Sequence, residues 1–257
     1  MLSTVVLAMI VGLALMAVSR EARRILLELF QATQEIALMI IGGAMKLAPL
    51  AVFALICTIT MRLGFSAIAG MAAYIGTVLL GLIMLLIFYL VMVWMFGNMP
   101  PGQCLHGIRE VQLLAFSTSS SAAVMPFSMG AAEKRLGVTP SIVRFIIPLG
   151  ATINMDGTAL YQVAAAVFLT QVFGIHLSVW SLVALAGTAV GASIGTPSTP
   201  GVGIVVLASI LQGVGVPPSG IALIIGVDRI LDMSRTTVNV TGDLTACTIM
   251  NRWLRTT

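Results

Sequence analysis

The stretch GTVLLGLIMLLIFYLVMVWMF, residues 76–96, runs for 21 residues without a charged side chain. A helix needs about 20 mostly apolar residues to cross the hydrocarbon core of a bilayer, and this run supplies them. In lipid every backbone polar group must find its partner within the segment, so the run is expected to be helical. The rest of the chain agrees. Only 9% of its 257 residues are charged, against 59% hydrophobic, and the mean hydropathy is +1.09. A soluble domain carries about 25% charge, so the chain cannot build an ordinary wetted surface. The composition predicts an all-α membrane protein with several transmembrane helices, embedded in the lipid bilayer of a cell membrane (inner or plasma).

Span-like stretches cover residues 1–18, about 36–60, 66–96 and 141–175, with a last apolar stretch at about 221–254. The first has no basic lead and no convincing cleavage site, so it reads as a membrane helix or the end of one rather than a secretory signal. Between the spans lie two segments of another kind. Residues 109–137 place apolar arms around a serine-rich tip, Ser117 to Ser121, and residues 179–216 repeat the plan with proline and glycine at the tip. Arms of about 7 to 15 residues are too short to span and suit re-entrant hairpins. Two interrupted segments at matching positions are the pattern of a transporter with inverted repeats. The halves would be 109–177 and 178–257, each a hairpin followed by a long helix.

The net charge of +4 does not point to nucleic acid, because basic residues of a membrane protein mainly report which loops face the cytoplasm. Arg20, Arg23, Arg24, Arg109, Lys134, Arg135, Arg252 and Arg255 fall on one side, while the opposite loops hold Arg62 alone. The serine hairpin would therefore enter from the cytoplasm and the proline-glycine hairpin from outside, with a cytoplasmic C-terminus. Cys57, Cys104 and Cys247 lack metal-ligand spacing and read as apolar fillers. His106 and His176 sit near segment ends and read as interfacial.

The acidic residues divide by type. All five glutamates fall in or beside predicted loops, whereas Asp156, Asp228, Asp232 and Asp243 all fall in the last two apolar segments. Such placement costs about 2.5–3.5 kcal/mol at a helix centre, and its default meaning is a functional site. DRILDMSRTTVNVTGD, residues 228–243, carries three of them. At about 100° per residue from Asp228, Asp232 lies at about 40°, Arg235 at about −20°, Asn239 at about 20° and Asp243 at about 60°. One polar stripe therefore runs over four turns, with Arg229 off it. The competing reading, a helix lying on the membrane surface, calls for a polar face rich in Lys and Arg; this face is mostly acid and amide.

PLGATINMDGTALYQ, residues 148–162, is the second polar segment. Pro148, Gly150 and Gly157 weaken the helix around Asn154 and Asp156. Freed carbonyls beside a carboxylate and an amide make an all-oxygen environment suited to a hard cation. The alternative is a kinked helix with Asp156 bonded to a neighbour.

In their order along the chain, SSS, NMDGT, the proline-glycine tip and DMSRTTVNVTGD resemble the glutamate transporter family, the dicarboxylate/amino acid:cation symporters. The resemblance covers essentially the whole chain. It implies an elevator transporter working as a homotrimer, with scaffold helices at 1–63 and a mostly transport domain at 64–257. That domain would hold hairpin 1 (109–137), a broken helix (139–175), hairpin 2 (179–216) and a final helix (219–255). The family's first helices, one of which completes a third sodium site, have no counterpart here, so the sequence is expected to be the C-terminal part of a transporter.

For an acidic amino acid, the resemblance implies contacts from Ser120 and Ser121, Thr158, Gly203, Thr236 and Asn239. Asp232 would hold the ammonium and Arg235 the side-chain carboxylate, a match that suits a planar guanidinium. For the coupling ion, Na+, it implies Gly150, Asn154, Asn239 and Asp243 as one site. Carbonyls of Thr152, Ser193, Ile194 and Thr196 would form a second, and Asn154 with Asp156 would contribute to a third. Proton-coupled relatives tend to carry Asn where Asp243 stands. The chain departs from the family at Ser119 and Met233, one of which is often an arginine, and at the lid tip Ser198-Thr199-Pro200.

The resulting expectation is sodium-coupled symport of aspartate or glutamate, and not an enzyme. The runner-up is a proton-coupled glutamate/aspartate or C4-dicarboxylate symporter, followed by a gated channel. An intramembrane aspartyl protease needs two facing aspartates sharing a proton, and the stripe's Arg and Asn have no place in that chemistry.

Overall fold

A computed structural model describes residues 2–45, 65–196, 198–217 and 220–256, together with residues 50, 53, 57 and 61. The chain divides into two units, residues 1–54 and 55–257. In the first, α1 (Leu2–Ala17) is followed by α2 (Arg20–Met45). Arg20, Arg23 and Arg24, placed in a loop by the sequence reading, instead open α2. Arg23 donates from Nε to the Leu15 carbonyl at 2.8 Å and from Nη2 to that of Met16 at 2.9 Å. Those carbonyls end α1 without helical partners, so the guanidinium caps them. Most of the expected span at 36–60 beyond Met45 lies outside the described residues.

The second unit begins its described part with α3 (Phe65–Gly97). Its segment Gly70–Gly97 is the one helix among the described residues long and apolar enough to cross a membrane. Leu80, Ile83, Met84, Ile87, Phe88, Trp94 and Met95 are exposed along it, a continuous apolar surface that suits lipid and not water. Hairpin 1 follows as α4 (Pro101–Thr118) and α5 (Ser121–Lys134). It begins eight residues earlier than its polar residues suggested. Pro101 at the first helical position starts the helix, and Gln103, His106, Arg109 and Glu110 lie on its exposed face while Cys104, Ile108 and Val111 are buried. The tip turns on Ser119, which adopts the left-handed region (φ 53°).

Helix α6 (Pro140–Ile153) and helix α7 (Asp156–Val172) are the two halves of the broken helix, interrupted at Asn154 and Met155. Hairpin 2 is α8 (Val179–Ile194) and α9 (Val202–Gly213). At about 1.5 Å per residue, its 16 and 12 residues reach about 24 and 18 Å, short of a bilayer core. The chain ends in α10 (Ile221–Thr256), 36 residues long.

Two apolar clusters hold this unit. One joins α3, α7 and hairpin 2 to the first half of α10 through Val78, Tyr161, Leu169, Leu207 and Leu231. The other joins hairpin 1 and α6 to the second half of α10 through Ile108, Val124, Ile147 and Leu244. The polar stripe of α10 crosses the ground between them, so each half of the unit supplies one wall of a polar interior.

Candidate functional site

All five stripe residues are buried: Asp228, Asp232, Arg235, Asn239 and Asp243 each expose less than a tenth of their surface. Along α10 they divide into two environments. Around Arg235, a small cavity of about 20 Å³ is lined by Ser119 and Ser121 of hairpin 1, Thr158 of α7, Thr196, Ser198, Thr199 and Gly203 of hairpin 2, and Asp232, Thr236 and Asn239 of α10. Of the substrate residues expected from sequence, only Ser120 is not on the cavity wall. It is buried beside it, where its Oγ accepts from Ala123 N, capping α5, and donates to the Ser198 carbonyl at 2.7 Å. The two hairpin tips are thereby joined.

Ser121, Thr158 and Gly203 each lie in the first turn of a helix, α5, α7 and α9. Three helix N-termini therefore converge on this cavity, each turning the positive end of its dipole toward it. Gly203 lies close against the guanidinium: a Cβ there would lie 2.5 Å from Arg235 Nη2.

Arg235 donates from Nε and Nη2 to Asp232 Oδ1 at 3.0 and 2.8 Å. Asp232 Oδ2 accepts from Gly201 N at 3.0 Å, which ties the tip of hairpin 2 to α10. The other side of the guanidinium lies 3.7 Å from Asp228 Oδ1, and its carbon sits 4.3 Å from the centre of the Tyr161 ring. Asp232 and Arg235, expected to hold opposite ends of one molecule, thus hold each other here. A cavity of that size admits about one water, so a larger ligand must part the pair or lift the tip of hairpin 2.

Toward the C-terminus the chemistry changes. Asp243 accepts from Asn154 Nδ2 at 2.9 Å, and the same amide donates to the Asn239 carbonyl at 3.2 Å. Tyr89 of α3 donates to Asp156 Oδ2 at 2.5 Å. Tyr89, Asn154, Asp156, Gly150 and Asp243 share a cavity of about 330 Å³ whose lining includes no basic side chain. Asp243 is buried, whereas Asp156 is exposed at the cavity's lip. Gly150 lies so close that a Cβ would run into the Asp243 carboxylate. Gly242 is equally tight, with Asn154 Nδ2 at 2.6 Å and Tyr89 Oη at 2.8 Å from a would-be Cβ. Among the described residues no group of three His, Cys, Asp or Glu gathers as a metal cluster. The donors here are carboxylate, amide and carbonyl oxygen, which favour a hard cation.

Asn239 belongs to both environments. Its Oδ1 accepts from Gly157 N at 2.8 Å and its Nδ2 donates to Thr158 Oγ1 at 3.3 Å, while its carbonyl accepts from Asn154. The remaining expected ion ligands are less gathered. Ser193 and Thr196 are buried, with hydroxyls donated to the carbonyls of Val190 and Ala192. Ile194 is 46% exposed, and Thr152 is exposed with its hydroxyl on the Pro148 carbonyl. No hydrogen bond among the described residues joins Thr152 to the other three.

Sequence reading missed the tyrosines. Tyr89 stands in an apolar run and Tyr161 near the end of the second polar segment, both are buried, and a buried phenol normally seeks a polar partner. That was the available signal.

Interrupted helices too short to span a bilayer, an apolar outer surface on α3 and a polar interior define the class: an all-helical membrane transporter. Residues 1–253 match the model of the sodium:dicarboxylate symporter family, and the chain belongs to that family. It is 36% identical over 253 residues to a proton/sodium-glutamate symport protein of Bacillus subtilis and 34% identical over 253 residues to a proton/glutamate-aspartate symporter of Escherichia coli. Each match covers 98% of this chain and 58% of the relative. It is also 36% identical over 227 residues to excitatory amino acid transporter 1 of Rattus norvegicus, covering 87% of this chain and 42% of that protein. The chain thus spans a little over half the length of these bacterial relatives.

Proposed function

We propose that the chain takes part in sodium-coupled symport of an acidic amino acid, aspartate or glutamate, across the cytoplasmic membrane. The observation that carries this reading is the unequal charge balance along α10. The cavity at Arg235 combines a guanidinium paired to Asp232 with three helix N-termini, a setting for a ligand that carries carboxylates and an ammonium. The cavity at Asp243 combines carboxylates with no basic lining, a setting for a cation.

In this reading the substrate's side-chain carboxylate replaces Asp232 on the Nε/Nη2 edge of Arg235, and the freed Asp232 receives the ammonium. Ser120, Ser121, Thr158, Gly203, Thr236 and Asn239 complete the pocket. Sodium is held by Gly150, Asn154, Asn239 and Asp243, with further ion contacts at Asp156 and at the carbonyls of Thr152, Ser193, Ile194 and Thr196. Unwound backbone and helix C-termini are the usual donors for such ions. Sodium at Asp243 orders Asn154 and Asn239, and Asn239 orders Thr158 and the break at Gly157. Each ligand then lowers the cost of binding the other, which is reciprocal coupling. A homotrimer with an elevator movement of residues 64–257 against scaffold helices at 1–63, and a cytoplasmic C-terminus, complete the reading.

The test is uptake of labelled L-aspartate into proteoliposomes bearing the full chain. Accumulation should require an inward sodium gradient; equal uptake with sodium replaced by choline on both sides would overturn the coupling.

A further inference from the structure

Where the spanning segment Gly70–Gly97 ends, a second kind of cavity opens, with a volume of about 570 Å³. Ligand sites hold roughly 300–1,000 Å³, and this one falls within that range. Four parts of the second unit wall it: the end of α3, the start of α4, the turn between α5 and α6, and the last turns of α10. A spanning helix runs out at the edge of the hydrocarbon core, so the cavity sits at the depth of lipid headgroups.

Its chemistry suits an anion. Arg252 is the one charged residue among the described lining, which includes no Asp or Glu. Arg252 Nη1 donates to the Met95 carbonyl at 3.4 Å, which sets the guanidinium between α10 and the last turn of α3. Two other polar residues of the wall are used within the protein. Thr248 donates to the Leu244 carbonyl at 2.8 Å, and Asn251 Oδ1 accepts from Thr139 N at 3.0 Å and Thr139 Oγ1 at 2.9 Å. Asn98 and Gln103 remain as exposed amides on the same wall. Helix α4 also starts here, at Pro101, and no side chain caps its first turn. The positive end of its dipole therefore adds to the charge of Arg252.

The rim is apolar. Trp94, Met95 and Phe96, which lead into Gly97, and Trp253 and Leu254, which follow Arg252, are all exposed. Tryptophan concentrates at membrane interfaces, where one side of the ring meets lipid and the other meets headgroups. A water-soluble anion gains nothing from such a rim, whereas acyl chains lie against it.

We propose that this cavity binds the headgroup of an anionic phospholipid, with Arg252 on the phosphate and the acyl chains along the ends of α3 and α10. A net negative headgroup is favoured over a zwitterionic one because the wall offers a positive charge and no acid to receive a choline or ammonium. Lys134, exposed two residues before the lining residue Leu136, strengthens the attraction. Each basic side chain near a negative membrane surface favours association by about fivefold.

The experiment uses the full chain and its own tryptophans. In phosphatidylcholine bilayers, phosphatidylglycerol with brominated chains should quench tryptophan fluorescence at mole fractions about fivefold lower than brominated phosphatidylcholine requires. Arg252→Gln should remove most of that preference. Arg144→Gln, which alters an exposed basic residue of α6 outside the cavity, should keep it. Equal quenching by the two lipids in the unmodified protein would overturn the proposal, and that reading needs no variant to fold. Full preference retained in Arg252→Gln would overturn it too. So would equal losses in the two variants, which indicate general surface charge and not a site. Abolition of the preference by inorganic phosphate at constant ionic strength would make this a free-anion site and overturn the lipid assignment.

Discussion

Asp232 and Asp243 lie eleven residues apart on one helix and are equally hidden from solvent, yet they live under opposite electrostatic rules. Asp232 is held by a guanidinium and a backbone amide. Asp243 accepts from a neutral side-chain amide, beside a cavity without a basic residue. A buried carboxylate with its own cation is a finished structural unit, and opening it takes a ligand of matching charges. A buried carboxylate without one is an unfinished unit that a solution cation can complete. The difference gives one helix two unlike chemical settings, with Asn239 bonded in both.

Four substitutions would break or sharpen that contrast. The largest effect is expected from Arg235→Gln, which strands two acids at once. Breaking a buried pair costs about 3–5 kcal/mol, so aspartate affinity by calorimetry should fall by at least about a hundredfold, with protection by sodium alone retained. Asp243→Asn keeps the shape and the Asn154 contact but removes the charge. The sodium half-saturation should rise roughly ten- to a hundredfold while Arg235-dependent recognition survives at high sodium. Tyr89→Phe removes the hydrogen bond to Asp156, worth about 1.5–3 kcal/mol for a charged acceptor. It should raise the sodium requirement about tenfold without altering substrate preference. Ser120→Ala loses both the α5 cap and the tip-to-tip bond, at about 1 kcal/mol each. A several-fold faster dissociation of aspartate, measured by displacement kinetics, is expected.

How much of this was legible in the sequence varies with the kind of signal. The stripe on α10 was legible because helical periodicity is local: five residues assigned to one face are all buried together. The break at Asn154 and Met155 was signalled by the glycines around it. The start of hairpin 1 was obscured because Arg109 and Glu110 read as loop, yet they occupy the wet face of a helix begun by Pro101. Partnerships between distant segments were not legible at all. Tyr89 reaches Asp156 across 67 positions, and nothing local distinguishes it from a filler aromatic. The Asp232–Arg235 bond was available from their three-residue spacing, but both side chains had been given to the substrate. Their pairing sets each charge against the other across the cavity wall. Asp228, without a role in the sequence reading, lies 3.7 Å from Arg235 in the structure.

The most direct test of the central claim is the affinity for L-aspartate as sodium is varied at constant ionic strength, with the full chain in lipid nanodiscs. If the two environments on α10 are coupled through Asn239, affinity should climb steeply with sodium, and Asp243→Asn should flatten the climb. An aspartate affinity that is the same in sodium and in choline would contradict the account.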